Sequence, residues 1–129
     1  MAHDITMYRG DTFEFDVVLA KELGGYYDLE DATVYCTVKT AVDGDQAWQK
    51  SGTEGGVTDG ITFNTPATDG VVHIVFEADD SQTETVRDYK WDVEFQLSSG
   101  EVITVPRTEA GVPELGDLHL IGEVTRPAP

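Results

Sequence analysis

Basic residues are scarce in this chain: Lys and Arg together number 8, against 25 Asp and Glu, for a formal charge of −17. Such a surface repels phosphate backbones and anionic lipid, which argues against nucleic-acid and membrane partners. Cysteine is all but absent, and Cys36 alone permits no intramolecular disulfide. No stretch approaches the roughly 20 apolar residues of a membrane-spanning helix. The opening MAHDITMYRGD has neither a basic start nor an apolar run, so no signal peptide is expected. The chain is expected to be made in the cytoplasm and to stay soluble. Histidine is also rare, at 3, and no His-x-His, His-Glu-x-x-His or Cys-x-x-Cys occurs. The usual zinc ligands are therefore missing. The Gly-x-Ser-x-Gly elbow of many hydrolases is missing too.

What is present is alternation. In DYKWDVEFQL, residues 88–97, Tyr89, Trp91, Val93, Phe95 and Leu97 alternate with charged or polar neighbours. On a strand this places an apolar row on one face and a polar row on the other. Trp91 and Phe95 are too large to leave in water, so a second layer must cover the strand. The pattern recurs in Phe13, Phe15, Val17 and Leu19, in Ala32, Val34, Cys36 and Val38, and in Val72, Ile74 and Phe76. Several half-buried strands with turns between them predict an all-β fold, an immunoglobulin-like antiparallel β-sandwich. At 129 residues the chain is one domain, 1–129, with short tails at 1–4 and 126–129. The expected core holds Phe13, Phe15, Val34, Cys36, Phe76, Tyr89, Trp91, Val93 and Phe95.

Strands are expected over 5–9, 12–19, 32–40, 61–64, 71–77, 88–97, 101–107 and 117–125, with an edge segment at 47–50 carrying Trp48. Residues 51–60 read as a mobile Gly-rich loop, and 108–116 as irregular. Ser81-Gln82-Thr83-Glu84 fits a capping box for one short helical turn. Tyr89, just after that corner, reads either as the tyrosine corner of immunoglobulin-like sandwiches or as an ordinary interior tyrosine. Pro106 marks a strand end or an edge, because it has no N–H for a ladder.

Chemistry is harder to find. Cys36 lies on an inward row and reads as a packing thiol. His73 and His119 stand on the polar faces of their strands. Carboxylate pairs are everywhere, so no one pair singles itself out as catalytic. Asp43, Asp45, Asp79 and Asp80 are the calcium candidates, because calcium collects oxygens from such clusters. They lack the Asp-x-Asp-x-Asp-Gly spacing and read first as solvated turn carboxylates. No cofactor and no enzymatic activity are expected. Tyr8, Tyr26, Tyr27, Tyr35 and Trp48 leave open a carbohydrate or cell-surface binding module, with aromatic rings as sugar platforms.

Four segments stand in a suggestive order. They are Arg9-Gly10-Asp11-Thr12, then Tyr27-Asp28-Leu29-Glu30-Asp31-Ala32-Thr33-Val34 leading to Thr37-Val38-Lys39, then Asp69-Gly70-Val71-Val72-His73-Ile74, and Asp88-Tyr89-Lys90-Trp91-Asp92-Val93. Across residues 9–125 this resembles small tailed-phage virion proteins, of the kind found at the N-terminus of the phage baseplate upper protein. The resemblance implies a non-enzymatic virion component that docks on other virion proteins, with self-association through strand edges and termini. A tail or baseplate accessory follows from the resemblance. A capsid decoration protein on the head exterior, bound to the major capsid protein, is the alternative that a short acidic chain suggests. The expected location is the virion, after synthesis in the host cytoplasm.

Overall fold

The protein is described by a computed structural model over residues 4–21, 23–41, 44–106 and 116–122. Among the described residues ten strands form two sheets: β1 (Asp4–Tyr8), β2 (Phe13–Val18), β3 (Thr33–Lys39), β4 (Gln46–Thr53), β5 (Thr58–Asp59), β6 (Ile61–Phe63), β7 (Val71–Phe76), β8 (Arg87–Gln96), β9 (Val102–Val105) and β10 (Gly116–Ile121). The larger sheet runs β1-β10-β8-β3-β4-β5, and the smaller runs β2-β7-β6. All pairings are antiparallel except that of β1 with β10. This is the variable-type immunoglobulin arrangement, in which the sheet holding the third and penultimate strands gains two further edge strands. One feature departs from it. β9 and β10 lie in succession along the same edge of β8, β9 beside Val93–Gln96 and β10 beside Arg87–Trp91. Pro106 follows β9 with a backbone that cannot donate to the ladder, and β10 begins at Gly116.

The inward rows meet as expected. Val34, Cys36, Phe76, Tyr89, Trp91, Val93 and Phe95 are buried, with Leu29 closing one end of the core. Phe13 and Phe15 point inward but are only half-buried. The large rings form a connected chain. Trp91 meets Phe15 at 5.6 Å between centroids, Phe15 meets Phe76 at 5.4 Å, Phe76 meets Trp48 at 5.5 Å, and Trp48 meets Tyr89 at 6.0 Å. Edge-on contacts of this kind add to the area buried. The Tyr89 hydroxyl donates to the Thr85 carbonyl at 2.5 Å, which is the tyrosine corner.

Several expectations need correction. Asp4, expected in a tail, begins β1. β4 is no short edge segment but an eight-residue strand between β3 and β5. Residues 51–60 are accordingly not one loop: Ser51, Gly52 and Thr53 end β4, and β5 follows a tight turn. Gly52 looks like loop composition, yet a Cβ there would lie 2.3 Å from the Ile61 carbonyl, so close passage of the chain demands glycine. The helical turn is α1 (Ala78–Ser81), one turn earlier than expected. The Asp80 carboxylate, not Glu84, reaches back, accepting the Glu77 N–H at 2.7 Å. Ser81 is buried, and its Oγ accepts the Gly10 N–H at 2.8 Å. The expected tails 1–3 and 126–129, and most of the 108–116 segment, lie outside the described residues.

Candidate binding surfaces

Four connections converge at one end of the sandwich: residues 19–32, 54–57, 64–70 and 97–101. Hydrogen bonds fasten three of them. Tyr27 N donates to the Leu19 carbonyl at 3.1 Å, Leu19 N to Gly70 at 2.8 Å, and Leu29 N to Ala67 at 3.2 Å. Glu54 N donates to the Ala32 carbonyl at 2.8 Å, and the Glu54 carboxylate accepts the Asp31 N–H at 3.0 Å. The Asp28 carboxylate takes the Glu30 N–H at 2.9 Å, so the acidic run is turn chemistry. In variable domains the loops corresponding to three of these, 19–32, 54–57 and 97–101, form the antigen-binding end.

This end carries apolar side chains that the core does not use. Leu23 is fully exposed and Val57 nearly so, and Val18, Tyr26 and Val102 are more than half exposed. Asp28, Glu30, Asp31 and Glu101 are exposed among them, with Lys21 lying over the Tyr27 ring. The sequence places Val18 and Val102 in expected strands, Val57 in an expected loop and Tyr26 among the candidate sugar platforms, and it does not single out Leu23. The available signal was an apolar residue beside paired glycines, Leu23 before Gly24-Gly25 and Val57 after Gly55-Gly56, where no strand row explains it.

The two histidines of the strands sit in carboxylate clamps on opposite outer faces. His73 on β7 is opposite Asp16 on β2. Its Nδ1 is 2.7 Å from Asp16 and its Nε2 is 2.9 Å from Glu14, and these hydrogen bonds hold its pKa above the ordinary histidine value. His119 on β10 lies 2.8 Å from Asp88 on β8 and 3.8 Å from Asp4 on β1, and Asp88 above all raises its pKa. Beside it, Lys90 bonds Asp117 and pulls that carboxyl below its usual range. On the same face, burial pushes the Asp92 carboxyl up, with Lys39 opposing. Each clamp needs residues from different strands, so only register brings them together.

The calcium candidates do not converge. Asp43 lies outside the described residues. Asp80 is held by Lys50 Nζ at 2.9 Å as well as by Glu77. Burial lowers the Lys50 pKa, but Asp80, Asp59 and Glu77 outweigh it and the net shift is upward. Asp45 and Asp79 are exposed in separate turns. Among the described residues no group of three or more His, Cys, Asp and Glu is placed to hold a metal ion. Cys36 is fully buried, and burial drives its thiol pKa far upward, so it is no nucleophile in the folded chain. The aromatic residues are dispersed: Tyr8 and Tyr26 are exposed, Tyr27 and Tyr35 half-buried, and Trp48 buried in the core.

No protein-family model and no curated protein matches the chain. Among solved structures it is similar to murine CRIg, at 12% identity over 95% of this chain and 93% of that one, with a TM-score of 0.44. The immunoglobulin-like assignment stands on the strand order and the Tyr89 corner, not on that likeness.

Proposed function

We propose that this chain is a non-enzymatic docking domain of a tailed-phage virion, seated on other virion proteins as a tail or baseplate accessory. The observation that carries docking is the loop end. Leu23, Tyr26 and Val57 expose apolar surface on connections that hydrogen bonds already hold in place, and Val102 adds to it at the start of β9. Apolar side chains on a preorganised surface, ringed by polar groups, are what a protein interface requires. The surrounding carboxylates favour a basic partner. The virion setting rests on the resemblance of the four segments between Arg9 and Val93. Capsid decoration is the alternative placement.

The test is particles of the source phage, analysed for this chain by mass spectrometry and imaged by cryo-electron microscopy. Copies at the tail or its tip, with the loop end against a neighbour, are expected. Copies on the head lattice would make it a decoration protein. A chain missing from purified particles would end the virion reading.

A further inference from the structure

A different surface, the free side of β2, carries an inference that holds whether or not the chain belongs to a virion. The Leu19 N–H donates to the Gly70 carbonyl, and the register pairs Phe13, Phe15 and Val17 with Phe76, Ile74 and Val72. In an antiparallel ladder, pairs that exchange hydrogen bonds alternate with pairs that do not. The odd-numbered residues of β2 therefore bond to β7. The N–H and C=O groups of Glu14, Asp16 and Val18 point the other way. Among the described residues no strand lies on that side.

The side chains tell the same story. On β7 the inward residues Val72, Ile74 and Phe76 are completely buried. On β2 the inward residues Phe13, Phe15 and Val17 are only half-buried. The difference is the missing neighbour. The opposite seam of the sandwich is closed: the chain crosses there from β5 to β6, Ser51 bridges Gly60, and Lys50 reaches Asp80. One side of the smaller sheet is thus finished, and the other has no neighbouring strand among the described residues.

We propose that the β2 edge is an acceptor for one extended strand of a partner protein, a strand alternating apolar side chains with lysine or arginine. Main-chain bonds to Glu14, Asp16 and Val18 supply affinity, and the side-chain rows supply selectivity. The donor's apolar row covers Phe13, Phe15 and Val17. Its basic row lies beside the Glu14 and Asp16 carboxylates, which are exposed and hold His73 between them. A second copy of this chain is a poor donor through the same strand, because β2 against β2 sets Glu14 and Asp16 against like charges.

The experiment is residue-resolved amide exchange of the full chain, alone and with capped peptides of about six residues, matched to Phe13–Val18 of β2. One peptide alternates valine with lysine and the control alternates valine with glutamate. In the chain alone, Glu14, Asp16 and Val18 exchange fast while Phe15 and Val17 are protected. The valine–lysine peptide is expected to slow the first three roughly tenfold or more, saturably, while the control leaves them unchanged. A Glu14→Lys/Asp16→Lys variant should reverse the preference, with Phe15 and Val17 still protected as proof of an intact ladder. Three outcomes overturn the proposal. The first is protection of Glu14, Asp16 and Val18 in the dilute chain alone, which assigns the edge to a segment of the same chain. The second is protection that grows with protein concentration without peptide, which assigns it to a second copy. The third is no protection by the valine–lysine peptide at millimolar concentration.

Discussion

The Phe15 and Trp91 rings meet edge to face across the two sheets, 5.6 Å apart and inclined at 70°. In antibody domains the strands that carry these residues are joined by a disulfide, whose second cysteine follows the corner tyrosine by two positions. Trp91 follows Tyr89 by two positions. A ring contact therefore occupies the place of the cross-link, which suits a chain with one cysteine. Trp91→Ala should cost about 3–5 kcal/mol by opening a cavity in the core at one end of the ring chain. Phe15→Ala should cost less, because Phe15 is half-exposed. A double-mutant cycle in denaturant should give a coupling of about 0.5–1.5 kcal/mol between the two rings. Zero coupling would show that the rings do not support one another.

The corner itself makes a separate prediction. Tyr89→Phe keeps the buried ring and removes only the bond to the Thr85 carbonyl. The expected loss is about 1 kcal/mol, read as a lower melting temperature with an unchanged denaturant slope. An unaltered melting temperature would return Tyr89 to the status of an ordinary interior tyrosine.

Ser81 ties two segments together rather than capping a helix, and this defines a third prediction. Its hydroxyl is buried and accepts the buried Gly10 N–H, tying the first turn of the chain to α1. Ser81→Ala leaves that N–H without a partner, at a cost of about 1–3 kcal/mol. Ser81→Thr, which keeps the acceptor, should cost less if the added methyl fits. Equal melting temperatures for Ser81→Ala and the parent chain would show that the bond is dispensable.

These cases show what the sequence could and could not tell. Rows such as Tyr89-x-Trp91-x-Val93-x-Phe95 declare a strand and its buried face, because the alternation is local. Ser81-x-x-Glu84 misled because Glu77 and Asp80 supply an equivalent cap one turn earlier, and a carboxylate can reach back as a hydroxyl can. Gly52 misled because glycine signals a turn and also a close crossing, and only the position of Ile61 decides between them. The succession of β9 and β10 along β8, the place of β2 at the edge of its sheet among the described residues and the partners of His73 all depend on pairing between distant strands. The loop end was hidden for a simpler reason: Leu23 and Val57 lie in turns, and no periodicity marks them.

The histidine clamps predict a pH response. Both histidines have pKa values above the ordinary one, His73 through Asp16 and Glu14, His119 through Asp88. A raised folded-state pKa means that the contribution to stability is full below the unfolded value of about 6.5 and fades as pH rises through the folded value. Stability should therefore fall on going from mildly acidic to mildly alkaline buffer. The effect is modest, because both rings are partly exposed and solvent screens them. Proton NMR should place both midpoints above that of a free histidine. Asp16→Asn with Glu14→Gln should bring His73 back while leaving His119 unmoved. A joint shift would mean that overall charge, not the clamp, sets the values.

Overall charge makes the last prediction, and its sign opposes a first guess. Salt weakens individual exposed pairs such as His119–Asp88 and Lys90–Asp117. Yet 8 basic residues cannot neutralise 25 acidic ones, and the net charge of −17 repels itself. Raising ionic strength from about 0.01 M to about 0.15 M shortens the screening length from about 30 Å to about 8 Å. Long-range repulsion is lost first, while contacts near 3 Å, such as Lys50–Asp80, are screened least because they are buried. The melting temperature should rise with sodium chloride over this range. Magnesium chloride at equal ionic strength should act no more strongly if screening alone operates. A much larger rise with the divalent ion would point to cation binding by the acidic turns, and a fall with either salt would show that the ion pairs outweigh the repulsion.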